Sequence, residues 1–168
     1  AASDVYKRQV YRMTTGMGKS MQELLAASVE LNVVDGVILP NLKMQGTEEA
    51  CAYLDEEGRC SIHPYRPGIC RLFPLGRYYE NGGFSYFLQT GECAKENRSK
   101  IKVSKWIDTP DLTRNQQFTL QWHDLLHAME ERLTGEDEGK QREENLLLLR
   151  LFYLLPYEGT IDFYTQFT

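Results

Sequence analysis

Cysteine is scarce in this chain: four residues in 168, and none before position 51. That density is far below that of a disulfide-stapled scaffold, so the fold must rest on a hydrophobic core. A single domain of this length can build one unaided. Long apolar runs are lacking too. The richest, 145-NLLLLRLFYLLPY-157, is interrupted by Arg150 and ended by Pro156. It falls short of the roughly 20 residues that span a bilayer, so it reads as a buried helix, and no membrane partner is expected. Nor is there an excess of basic charge. A net charge of −5 leaves no global field to draw in nucleic acid, which is not an expected partner. No signal segment is visible, and the expected compartment is the cytoplasm, where thiols stay reduced and more often bind metal or react. The opening 1-AASDVYKRQ-9 reads as a scar or other non-native start. Residues 1–9 are therefore set aside from the domain, and native sequence is expected upstream.

The remainder, residues 10–168, is expected to form one α+β domain. Residues 10–105 are its hairpin-rich, metal-centred part, and residues 106–168 its helical C-terminal part. Residues 10–30 read as a helix pair joined at Gly16 and Gly18. Ser20 with Glu23 three residues on makes a capping box for the second helix. The same stretch, 14-TTGMGKS-20, tempts a phosphate-loop reading, but Met13 stands where that motif needs glycine. Residues 31–45 are rich in β-branched side chains and suggest strands, with Pro40 at an edge or bulge. Hairpins are expected at 51–63, around Asp-Glu-Glu-Gly, and at 77–93, around Asn81-Gly82. The charge alternation of 95-KENRSKIKVSK-105 suggests a solvated strand face. From Thr109 the apolar spacing becomes helical, with Thr109 as cap and Pro110 in the first turn. A polar linker at 134–144 leads to the last helix, and the aromatic tail from Tyr157 is expected to pack back.

Against this background 60-CSIHPYRPGICRLFPLG-76 stands out. Pro64, Pro67 and Pro74 exclude a continuous helix and leave Cys60 and Cys70 on turning chain. All four cysteines, Cys51, Cys60, Cys70 and Cys93, fall at turns or strand ends, where loops can bring sulfurs to one point. Four thiolates suit tetrahedral Zn²⁺ and equally an Fe–S cluster. The spacings of eight, nine and 22 intervening residues lack the short Cys-x-x-Cys knuckle. Buried free thiols and disulfides therefore stay open as readings. His63 is a weaker candidate ligand, since imidazole suits zinc and iron.

The string Cys51-Ala-Tyr-Leu-Asp-Glu-Glu-Gly-Arg-Cys60-Ser-Ile-His63, followed by Arg66-Pro67-Gly-Ile-Cys70-Arg71-Leu-Phe73-Pro74-Leu-Gly76-Arg77, resembles the bacterial cysteine-cluster family of YkgJ type. That family is named for a CxxCxxCC motif and described as chelating zinc or iron. The resemblance extends to Val10–Leu25, Leu39–Met44 and Cys93, and more loosely to Trp106 and the helix after it. It implies that Cys51, Cys60, Cys70 and Cys93 ligate zinc or iron, together with N-terminal cysteines that this chain lacks. The site in this chain would then be partial or rearranged. Arg66, Arg71 and Arg77 either favour thiolate over thiol or form surface salt bridges with the acidic excess.

Functionally, these residues point to a metal-binding protein with a structural or metal-handling role, its cofactor Zn²⁺ or Fe. The alternatives are an iron- or Fe–S-dependent protein-modifying enzyme, methylase-like, as the resemblance also suggests, and an interaction module that docks an unknown protein partner through its aromatic hairpin. No nucleophile–base pair supports an enzyme independently. In 122-WHDLLH-127 two histidines share a helix face at zincin spacing. Asp124 replaces the general-base glutamate there and no third ligand is evident, so partly exposed helix histidines are expected.

Overall fold

The computed structural model describes residues 7–91 and 99–167. Helix α1 (Lys7–Met17) turns at Gly18, whose φ is +63°, into α2 (Met21–Ala27). The Ser20 side chain accepts from the Glu23 amide while the Glu23 carboxylate accepts from the Ser20 amide, so both halves of the capping box are in place. The Gly-Lys-Ser stretch therefore serves a helix–turn–helix corner. Lys7, Arg8 and Gln9, set aside by the sequence reading, form the first turn of α1. Lys7 is buried, with its ammonium 4.8 Å from the Phe152 ring and 4.9 Å from the Phe167 ring.

A two-stranded ribbon follows, β1 (Val29–Val34) antiparallel to β2 (Val37–Leu42), with Pro40 opposite Leu31. Proline is tolerated there because a two-stranded ribbon is all edge. Two residues each suffice for β3 (Met44–Gln45) and β4 (Ala50–Cys51). After a 3₁₀ turn (His63–Tyr65) and α3 (Gly68–Leu72), the hairpin β5 (Leu75–Glu80) and β6 (Gly83–Leu88) reverses at Asn81-Gly82, both left-handed. The C-terminal part comprises α4 (Val103–Ile107), α5 (Leu112–Leu133), α6 (Glu138–Leu149), a π-helical turn (Arg150–Leu154) and α7 (Phe163–Phe167). Three separate hairpins and seven helices among the described residues make this an α+β fold. No helix among them is long and apolar enough to cross a membrane.

The core gathers α1, α2, the β1–β2 ribbon, α5, α6 and the aromatic tail. At its centre Trp122 is fully buried, with the rings of Phe118, Phe152, Tyr153 and Phe167 around it. The tail packs back as expected, Phe163 lying 5.2 Å from the Tyr11 ring and 5.0 Å from that of Phe118.

Four local expectations are corrected. Residues 103–107 form a helix rather than a strand face, because the Trp106 indole donates to the carbonyls of Leu72 and Phe73 and pulls that segment across the end of α3. The cap of α5 is Asp111, whose carboxylate accepts from the Arg114 amide, so Thr109 and Pro110 precede the helix. The linker at 134–144 is helical from Glu138, because Asp137 accepts from the amides of Gly139 and Lys140. Lastly, the leucine run is buried on one side only: Leu148, Leu149 and Tyr153 face the core, while Leu146, Leu147, Leu151 and Leu155 are exposed.

Asn145 explains how that helix is seated. Its Oδ1 accepts from the Ile38 amide at 2.7 Å, and its Nδ2 donates to the carbonyls of Gly36 and Gln141 at 3.0 and 2.9 Å. Truncation to alanine would leave backbone groups of the β1–β2 turn without partners. Asn145→Ala is expected to cost about 2 kcal/mol, read as a lowered urea midpoint at unchanged m-value.

Candidate metal centre

Three of the four cysteines lie in described chain. Cys51 ends β4, paired across to Met44. The chain then reverses through a tight turn in which the Asp55 carboxylate accepts from the amides of Glu57 and Arg59, at 3.1 and 2.7 Å, and Gly58 takes φ +72°. That left-handed position costs glycine nothing. The turn closes on an isolated bridge between Leu54 and Cys60, with the Ser61 amide donating to Tyr53 O at 2.8 Å. The expected first hairpin thus shrinks to a single bridge, and Cys51 pairs outward to β3 instead of across to Cys60. Beyond it, the His63 amide donates to Cys60 O and opens the 3₁₀ turn. Arg66 and Pro67 are extended, and α3 then carries Cys70 in its middle.

Helix α1 holds this loop from one side through close approaches, tightest at Gly16. A Cβ on Gly16 would overlap the Tyr65 ring at 2.2 Å, and one on Gly68 would meet the Gln9 amide nitrogen at 2.6 Å. The Arg12 guanidinium donates to Pro64 O at 2.7 Å. From the other side Arg71, only 5% exposed, donates to Pro64 O at 3.1 Å, to Asp108 O at 2.9 Å and to the Asp108 carboxylate at 3.4 Å. Arg71 thereby ties the 3₁₀ turn, α3 and the end of α4 together.

The consequence is convergence. Cys51, Cys60 and Cys70 are half-buried free thiols packed against the core, as is Tyr53, whose hydroxyl hydrogen-bonds Ser28. Cys70 is pushed up to about 11, first by burial and then by the proximity of Cys51 and Cys60, with Arg66 opposing. Burial and the same two thiols also raise the Tyr53 hydroxyl, against its bond to Ser28. So Cys51 and Cys60 both lie close enough to act on the partly buried Cys70. They are not closed into a ligand cage: among the described residues no three His, Cys, Asp or Glu side chains stand together closely enough to hold an ion. Cys93 lies outside the described residues, and His63 is exposed on the 3₁₀ turn.

The arginines behave differently from expectation. Only Arg66 acts on Cys70, and burial outweighs it. Arg71 spends its donors on carbonyls and Asp108, while Arg77 hydrogen-bonds Tyr79 and lies 5.4 Å from the Phe84 ring. The sequence gives no sign of the Tyr53–Ser28 contact. The clamp by Arg71 has one hint in the chain, an arginine directly after a cysteine in a turn-rich segment.

A raised thiol pKa makes stability depend on pH in metal-free protein. The folded chain favours protonated Cys70, so this contribution is whole below the ordinary thiol value near 9.0 and disappears as pH rises through about 11. Urea midpoints of metal-free protein should therefore fall between pH 9 and 11, and the fall should be shallower in Cys70→Ser. Equal slopes in the two proteins would contradict the assignment.

The donor set, soft sulfur on three separate segments, suits zinc and iron and would be a poor choice for magnesium or calcium. No curated protein and no solved structure matches the chain. One family model does match, over residues 8–100: CxxCxxCC, described as "Putative zinc- or iron-chelating domain". That span takes in α1, the loop that α1 and Arg71 hold, and all four cysteines, and the chain belongs to this CxxCxxCC family.

Proposed function

We propose that the protein binds Zn²⁺ or iron through the thiolates of Cys51, Cys60 and Cys70, in a structural or metal-handling role. The observation that carries this reading is that three half-buried thiols, from β4, the Leu54–Cys60 bridge and α3, pack against the core with Cys51 and Cys60 near enough to Cys70 to act on it. Cys93 is the fourth sulfur in the proposal, on its place in the sequence alone. A bound cation would supply the positive charge that these neighbouring sulfurs need in order to ionise together, and it would add a cross-link between β4, the Leu54–Cys60 bridge and α3. The side chains of Arg12 and Arg71 hold the loop backbone between Cys60 and Cys70 in place.

The test is the metal content of protein purified without oxygen. Zinc or iron near one equivalent is expected, with a visible sulfur-to-metal band if iron is bound and no colour if zinc is. Metal far below stoichiometric, even after reconstitution with either ion, would sink the proposal.

A further inference from the structure

One motif plays no part in the thiol site: the two histidines of α5. In the folded chain they do more than decorate a solvated helix. Both line a groove of about 310 Å³ between α5 and the turn of the β1–β2 ribbon, together with Asp35, Glu130 and an apolar wall that includes Val37 and Leu126. No lysine or arginine lines it among the described residues. We propose that His123 and His127 form a second, cysteine-independent site for a borderline first-row divalent cation, of the Ni²⁺ or Zn²⁺ kind.

Three observations carry this. The first is spacing: residues i and i+4 on a helix present their side chains to one face, the pairing by which helical histidines chelate a metal. The ring centres are 6.4 Å apart. Two imidazoles bound at about 2 Å to one ion need centres nearer about 5 Å, a closure within reach of side-chain rotation. The second is the arrangement of carboxylates. His123 Nδ1 lies 3.5 Å from Asp124 Oδ1, and His127 Nδ1 lies 3.6 Å from Glu130 Oε2. A ring that turns Nδ1–H toward a carboxylate keeps its Nε2 lone pair for metal, and the carboxylate strengthens that nitrogen as a donor. The third is that one ring is already fixed. His123 stacks on Tyr79 with centres 3.8 Å apart and planes at 10°, whereas the His127 side chain is 61% exposed and free to close on it. Imidazole nitrogens select nickel, copper and zinc over magnesium and calcium.

No three ligating side chains stand together in the groove, so the chelate is bidentate, with water completing the coordination. Asp35 and Glu130 add negative charge at its rim. This site is open to solvent on the His127 side.

Ni²⁺ is the probe, added to the full chain and followed by the paramagnetic broadening of assigned side-chain resonances. The earliest broadening should fall on His123, His127 and Tyr79. His127→Ala should weaken this site at least tenfold, and Glu130→Gln should weaken it by about tenfold. Both positions are exposed, and an unchanged far-UV spectrum checks that the variants fold. Zinc or iron content at the cysteines should be the same in His127→Ala as in the parent, which separates this site from the thiol centre. Ni²⁺ affinity unaltered by His127→Ala, or first broadening elsewhere, overturns the proposal.

Discussion

Cys70→Ser should abolish zinc or iron binding at the thiol centre and, with it, the thermal stabilisation that this site provides, read in a His127→Ala background that removes the second cation site. Burial, Cys51 and Cys60 all act on Cys70. It also sits in the middle of α3, whose backbone Arg71 ties to the 3₁₀ turn and to Asp108. Serine preserves size and a hydroxyl, but it offers a hard oxygen that stays protonated at neutral pH, a poor ligand for zinc or iron. Without metal the variant should be nearly as stable as the parent, because a half-buried thiol replaced by a hydroxyl costs only about 1 kcal/mol. With metal the two should separate. A ligand that binds only the folded state at a thousand times its Kd adds about 4 kcal/mol, which in a chain of this size raises Tm by roughly 8–16 °C. That increment should appear in the parent and vanish in Cys70→Ser. With His127→Ala in both proteins, a Cys70→Ser variant that still holds one equivalent of metal, or a Cys70 protein whose Tm ignores zinc and iron, would place the ion elsewhere.

Much of the architecture was legible where a single residue decides the backbone. Ser20 with Glu23 marks a helix start, and Asn81-Gly82 marks a hairpin turn, because each device works within four residues. What stayed hidden depends on distant partners. Residues 100–106 are too short to separate a strand period from a helical one, and only the Trp106 indole bonded to the end of α3 settles the matter. Asn145 looks like the polar edge of a leucine run until the β1–β2 turn arrives to fill its hydrogen bonds. The cysteines show both regimes. Cys51 at a strand end and Cys60 at a turn can be read from Gly58 and the prolines, whereas Cys70, expected on turning chain, sits inside α3, and the rise in its pKa comes from packing. Positive charge from Arg66, Arg71 and Arg77 seemed in sequence to favour thiolates. In the fold two of those guanidinium groups are committed to other partners.

Arg71→Ala should be the most damaging single change near the thiol centre, at about 3 kcal/mol and roughly 6–12 °C in Tm. Its guanidinium joins three pieces of chain, and the backbone carbonyls of Pro64 and Asp108 carry most of that effect. The carboxylate of Asp108 does not: it is 3.4 Å away on a side chain that is 86% exposed, where water screens the pair. Asp108→Asn should therefore cost under about 0.5 kcal/mol. Arg71→Lys should recover little of the loss, since one ammonium cannot reach both carbonyls in the geometry of a planar fork. The second readout is metal. Freed from Arg71, the 3₁₀ turn after Cys60 and the helix holding Cys70 would no longer be held in register. Part of the binding energy would then go into ordering them, and zinc or iron affinity should fall at least tenfold. An Asp108→Asn variant as damaged as Arg71→Ala would show the ion pair, and not the carbonyl clamp, to be what holds the loop.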